Sequence, residues 1–138
     1  MYVFINLNHF IMSVKIKVIA KGQPGVSGGG DKKYYASPVS SGEMDLNAIT
    51  KAIEKISTVS GADIRAVLYA LVDVSIDGLS RGAVVRMGEL GSLRVTLSSE
   101  GKPTPEEVNA LSVKKRGIIF TPGAHLKEML KSLKFVKS

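Results

Sequence analysis

Few side chains in this sequence are of a type and spacing that could do chemistry. Asp73, Asp77, Glu89, Glu106 and Glu107 could supply acid–base pairs. Such pairs need a partner within hydrogen-bond reach, and no His, Ser or Lys joins them in a recognisable constellation. They read as solvated helix and loop positions. His9 and His125 lie far apart and there is no cysteine, so no metal-ligand spacing is present. Gly25-Val26-Ser27-Gly28-Gly29-Gly30 has the Gly-x-x-x-x-Gly spacing of a loop that cradles phosphate. Asp31 stands where that loop needs lysine, and Lys32 where it needs Ser or Thr. A carboxylate there repels phosphate, so the segment reads as a flexible connection. Gly88-Glu89-Leu90-Gly91 has the spacing of a loop that faces a nucleic-acid backbone. Glu89 and Leu90 make a poor surface for that, and a structural turn is the better reading.

Cationic clusters remain. In Lys114-Lys115-Arg116, an extended backbone places Lys114 and Arg116 on one face and Lys115 on the other. Charge runs are usually solvated. This one lies on a strand expected to pair with the strand bearing Arg94, which collects the charges on one ribbon and favours phosphate binding. Tyr34-Tyr35 beside Lys32-Lys33 could stack on bases, although strand neighbours point oppositely and one tyrosine should face a core. The formal net charge is +7. It divides as +4 over residues 1–42, −2 over 43–100 and +5 over 101–138. Basic ends around a mildly acidic middle suit a polyanionic partner.

The elements that would position these groups follow from periodicity. Val14, Ile16, Val18 and Ala20 alternate with Lys15, Lys17 and Ile19, which predicts a half-buried strand. A loop follows at 22–30, then a second strand over 32–36 ended by Pro38, then a linker at 40–42. Leu46, Ile49, Ile53 and Ile56 share a helical face, with Asp45 placed as N-cap. Ser60-Gly61-Ala62-Asp63 resembles a capping box, and Ile64, Val67, Leu68, Leu71 and Val72 continue a helix over 61–80 that stops at Gly82. The short join predicts a helical hairpin. Strands are expected near 83–87 and 92–98, with Gly88 and Gly91 at the corner between them. Residues 99–112 form a polar insertion in which Thr104 could cap a turn begun by Pro105. A strand returns over 112–120. Thr121-Pro122 should open a last helix striped by Leu126, Met129, Leu130 and Leu133.

With 138 residues the chain is about one domain, and its modest core would gain from dimerisation. Residues 1–11 are apolar but have no basic segment or small-residue cleavage site, and are too short to span a bilayer. They read as a non-structural leader, with Met12 as a natural start.

From Asp45 to Phe135 the chain resembles the bacterial histone-like HU/IHF family. The resemblance rests on the helical hairpin at 46–80, the strand–glycine corner–strand of Val84 to Val95, and Phe120-Thr121-Pro122-Gly123-Ala124-His125-Leu126-Lys127. With its N-terminal extension it resembles a divergent HU-related branch of Bacteroides-type bacteria. The resemblance implies an α+β fold: an N-terminal helical hairpin, a β-sheet with a β-ribbon arm, and a C-terminal helix, in an intertwined dimer. Residues 43–138 would form the DNA-binding domain and 1–42 a leader and strand–loop extension. The family grips the minor groove with its arms and kinks duplex DNA with a proline wedge. Carried over, DNA contacts fall to Arg94, Lys102, Pro103, Lys114, Lys115, Arg116, Lys127 and Lys131. Here Thr96, Ser98 and Ser99 replace the family's repeated arm cations, and Glu106-Glu107 follow Lys102-Pro103 at the tip. A shortened or locally helical arm is therefore expected.

The sequence thus predicts a non-enzymatic, nucleoid-associated cytoplasmic protein that binds duplex DNA with little base readout and organises or bends it. The partners would be DNA and a second copy or a close relative of the chain. No cofactor, metal, membrane or small-molecule substrate is expected. The alternative is an HU-fold interaction module that has lost DNA bending. Residues 99–116 discriminate: an exposed basic ribbon favours DNA, and a segment packed on the body favours the module.

Overall fold

A computed structural model describes residues 12–138. The leader assigned to residues 1–11, His9 included, lies outside the described residues. Among the described residues two units emerge: one from residues 12–45 and 131–138, the other Leu46–Leu130.

The first unit is a three-stranded sheet of order β2-β1-β6. Its strands are β1 (Val14–Lys21), β2 (Lys33–Val39) and β6 (Phe135–Lys137). β1 runs antiparallel to β2, from Lys15↔Val39 to Lys21↔Lys33. The loop between them holds a 3₁₀ turn at Ser27–Gly29, closed by the Gln23 N–H donating to the Gly29 carbonyl at 2.6 Å. The expectation that Pro38 ends the second strand is corrected: β2 runs through it to Val39. β2 is an edge strand, where a missing N–H can face away from the sheet. β6 has no counterpart among the strands expected from the sequence. It lies parallel to β1, with Val14↔Phe135 and Ile16↔Lys137 in register. The Val14 N–H donates to the Lys134 carbonyl at 2.9 Å, and the Ser138 N–H to the Ile16 carbonyl at 3.0 Å.

The second unit begins with helices α1 (Leu46–Ile56) and α2 (Gly61–Ser80), which touch each other as a hairpin. The Ser60 hydroxyl accepts the Asp63 N–H at 3.3 Å and so satisfies one of the free donors at the start of α2. Arg65 Nη2 donates to Asn47 Oδ1 at 2.9 Å across the hairpin. α2 ends where Gly82 takes φ +82° and the Ala83 N–H returns to the Gly78 carbonyl at 3.0 Å.

A second three-stranded sheet follows, of order β3-β4-β5. β3 (Val85–Arg86) is shorter than the segment expected, while β4 (Gly91–Ser99) and β5 (Val113–Pro122) pair over nearly their whole length. Thr121-Pro122 does not open the last helix, as the sequence suggested. Both residues stay in β5, opposite Ser92 and Gly91, and α3 (Ala124–Ser132) begins two residues later. Pairing with β4 holds the chain extended to the glycine corner, so the helix starts only beyond it. Gly91 has φ +140°, and a Cβ there would collide with the Thr121 carbonyl and the Phe120 ring. A Cβ on Gly123 would meet the Glu89 backbone.

Little of this is buried. Among the described residues Ile64 is the one apolar side chain classed as buried, at 6% exposure. On α2, Val72 is 56% and Ile76 58% exposed. With Leu71, Leu79, Met87, Leu93 and Ile118 they line an open apolar groove of about 260 Å³. No described helix is long and apolar enough to cross a membrane.

Candidate nucleic-acid interface

The second sheet is amphipathic because strand residues alternate faces and cross-strand partners share one. Val85 pairs with Leu93 and Leu93 with Phe120, while Val95 pairs with Ile118. Those residues form the face whose Leu93 and Ile118 line the groove beside α2. On the other face Arg86 pairs with Ser92 and Ser92 with Thr121, Arg94 pairs with Ile119, Thr96 with Gly117 and Ser98 with Lys115. This second face is polar and carries three cations: Arg86, Arg94 and Lys115.

The structure separates the cationic run differently from a regular strand. A bulge between Ser98 and Ser99 leaves Lys114 without a Cα partner, because Ser98 pairs with Lys115 and Ser99 with Val113. Arg116 lies opposite Leu97 and belongs to the apolar face. Lys115 is therefore the member of the run that shares a face with Arg94. They are offset by four residues of ribbon, about 13 Å. Arg94, Lys114, Lys115 and Arg116 are all exposed. Among the described residues no carboxylate lies within ion-pair distance of them.

The insertion between β4 and β5 closes on itself. The Glu100 N–H donates to the Ser112 carbonyl at 2.8 Å, and 3₁₀ turns occupy Pro105–Glu107 and Ala110–Ser112. The Asn109 side chain accepts the Leu111 N–H at 2.9 Å, and the Ser112 hydroxyl accepts the Asn109 N–H at 3.1 Å. Thr104 stands at the N-cap position but makes no capping bond through its side chain. Lys102 pairs with Glu100 at 3.1 Å, so its charge is locally offset. Pro103 is exposed in the bend before the first turn. From Glu100 to Leu111 every residue is exposed.

Lys127 and Lys131 lie exposed on α3. Lys127 borders a cleft of about 310 Å³ with Arg86, Ser92, Thr121 and the glycine corner Gly88, Gly91 and Gly123. Sequence reasoning passed over Arg86, Ser92 and Thr121. The alternation Val85-Arg86 carried a signal for Arg86, but two residues of strand are too few to read alone. The five acids considered above are exposed, with Asp77 Oδ2 2.7 Å from Arg81 and Glu89 Oε2 3.3 Å from His125 Nδ1.

Comparison with known proteins adds to this geometry. The family model HU-HIG, described as an HU domain fused to wHTH, Ig or a glycine-rich motif, matches residues 12–137. Among solved structures, the chain is similar to a candidate bacterial DNA-binding protein of Bacteroides vulgatus ATCC 8482, at 15% identity and a TM-score of 0.61. The match covers 91% of this chain and 48% of that one, so the chain spans about half its structural relative. At that identity the likeness speaks for the fold. No curated protein matches the chain.

Proposed function

The chain belongs to the HU-HIG family, and from that premise we propose that it binds duplex DNA through the polar face of the β4–β5 ribbon, as a non-enzymatic architectural protein. The observation that carries this reading is the placement of Arg86, Arg94 and Lys115 on one exposed sheet face with, among the described residues, no carboxylate paired to them. A two-stranded ribbon fits a DNA groove, and flanking cations contact phosphates whatever the base sequence. Lys114, at the bulge, extends the contact at the ribbon end, and Arg116, on the reverse face, is proposed to reach phosphate around the ribbon's edge. Lys127 and Arg86 hold the backbone at its base, and Lys131 continues that row along α3. The similarity to a candidate DNA-binding protein supports the same reading.

Binding then rests on counterion release and on DNA deformability, with low sequence preference. Affinity for a blunt duplex falls by about a factor of ten for every two phosphate contacts as salt rises from ~50 to ~200 mM. A fluorescence titration across that range tests this, and a salt-independent affinity overturns it. Lys102 and Pro103 are the proposed tip contacts, and Pro103 the wedge, if the duplex is kinked. A nucleoid location follows from the same reading.

The working unit is proposed to be a dimer. One chain leaves the groove lined by Leu71, Val72, Ile76, Leu79 and Leu93 open to water, and burying such side chains stabilises by roughly 1.5–3 kcal/mol each. Ile76→Glu puts a charge into that surface. Sedimentation should show the wild type as a dimer and this variant as a monomer that binds DNA at least about tenfold more weakly. A monomeric wild type refutes the dimer.

A second reading has one observation in its favour. Glu100, Glu106 and Glu107 outnumber Lys102 around the closed tip, which suits a basic protein partner better than a phosphate. An interaction module of this kind would show no binding to duplex in the salt titration.

A further inference from the structure

The β2-β1-β6 sheet carries a second cationic surface that the ribbon reading does not use. Pairing of β1 with β2 sets Lys15, Lys17, Ile19 and Lys21 on one face, together with Lys33, Tyr35, Ser37 and Val39. The reverse face is mainly apolar: Ile16, Val18 and Ala20 against Pro38, Ala36 and Tyr34, with Phe135 beside Val14 and one cation, Lys137, beside Ile16. All four lysines on the first face are exposed, and Tyr35 is 48% exposed among them. Among the described residues none of the four has a carboxylate within ion-pair distance. Lys21 stands directly opposite Lys33. Like charges placed across a ladder repel, so this arrangement lowers sheet stability unless an anion lies over it. The Lys21 ammonium sits 6.0 Å from the centre of the Tyr35 ring, which keeps cation and aromatic side by side at the surface. Charge points the same way. Residues 1–45 and 131–138 hold eight lysines and three acids, a net of +5 out of the chain's +7.

We propose that this face binds single-stranded nucleic acid, with Lys15, Lys17, Lys21 and Lys33 along the phosphates and an unpaired base stacked on Tyr35. The site is independent of the ribbon. A sheet face has no projection that enters a duplex groove, and bases inside a duplex offer no free face to an aromatic ring. Unpaired strands supply both phosphates and open base faces, which is the combination that lysines around a tyrosine engage. An anionic membrane would also meet the lysines, and its interface accepts tyrosine, so the titration includes vesicles to separate the two.

The full chain is titrated by fluorescence anisotropy with three probes: labelled oligo-deoxythymidylate, a blunt duplex of equal length, and vesicles of phosphatidylserine and phosphatidylcholine. Lys17→Gln combined with Lys21→Gln and Lys33→Gln should weaken oligo-deoxythymidylate binding by about tenfold or more and flatten its salt dependence. Its effect on the duplex should be under about twofold. Tyr35→Ala should weaken the single strand by about tenfold while Tyr35→Phe keeps it, because stacking needs the ring and not the hydroxyl. These positions are exposed, and a circular-dichroism spectrum matching the wild type qualifies each variant. The proposal is overturned if both the lysine and Tyr35→Ala variants keep wild-type affinity for the single strand. It is also overturned if duplex affinity falls as far as single-strand affinity, or if vesicles bind with the same lysine dependence and more tightly than the oligonucleotide. Lys115→Gln with Arg116→Gln serves as the control for the ribbon. Loss or retention of duplex binding in that variant bears on the ribbon reading alone.

Discussion

The two small sheets share a plan and differ in where they put their charge. Each has three strands, one apolar face and one polar face. The β2-β1-β6 unit holds a net charge of +5, whereas Leu46–Leu130 holds eleven cations and nine acids, a net of +2. Yet it is the less charged unit that extends a ribbon, with β4 and β5 paired from Gly91 to the bulge at Ser99. A unit's net charge therefore does not by itself say how its cations are arranged. In the ribbon, alternation and register put three cations on one side with the acids elsewhere. In the β1–β2 sheet the lysines are dense, but their surface is flat. Shape separates the two surfaces, and with it the ligand proposed for each: a groove for the ribbon and an open strand for the sheet face.

The largest expected effect tests whether the ribbon depends on its corner. Gly91→Ala places a Cβ against the Thr121 carbonyl at a φ that side chains avoid. Destabilisation of about 3 kcal/mol or more is expected, read as a lowered midpoint in urea unfolding. An unchanged midpoint would remove the corner from the account of how β4 and β5 are held.

Next comes the direct contrast of the two surfaces on duplex DNA. Lys114→Gln, Lys115→Gln and Arg116→Gln together should lower affinity by about tenfold or more and flatten the salt slope by ~0.9 for each phosphate that is no longer neutralised. Lys15→Gln with Lys17→Gln should change duplex affinity by less than about twofold. Equal losses from both variants would move the duplex site away from the ribbon.

The smallest effect concerns the ribbon tip. Pro103→Ala should leave affinity for relaxed duplex within about twofold while reducing any bend seen by circularisation or energy transfer. The tip is closed by its own hydrogen bonds and by the Glu100–Lys102 pair. A large loss of affinity would show that the proline enters the duplex despite that closure.

Much of the second unit is legible in its residues. The apolar spacing of Leu46, Ile49, Ile53 and Ile56, and of Ile64 through Leu79, marks both helices with the bounds found. The pairing of the Arg94 strand with the Lys114–Arg116 strand also follows from their order and spacing. Other features leave no local trace. Pro38 reads as a strand terminator because edge position is not written in a single strand. Thr121-Pro122 reads as a helix start, since proline suits a first turn and only pairing with Gly91 and Ser92 keeps it extended. The last strand, Phe135–Lys137, is three residues long and meets a partner more than a hundred residues away.

By itself the sequence determined the helices, the glycine corner, the family resemblance and the cationic ends, because these rest on local spacing, local backbone preference and residue counts. Only the tertiary structure decided which cations share a face. It set Arg86 beside Ser92, moved Arg116 to the apolar face, joined Lys115 to Arg94, and laid Lys21 against Lys33. The reason is physical: the face a strand residue occupies depends on its own alternation, but its neighbours depend on the register and bulges of a second strand.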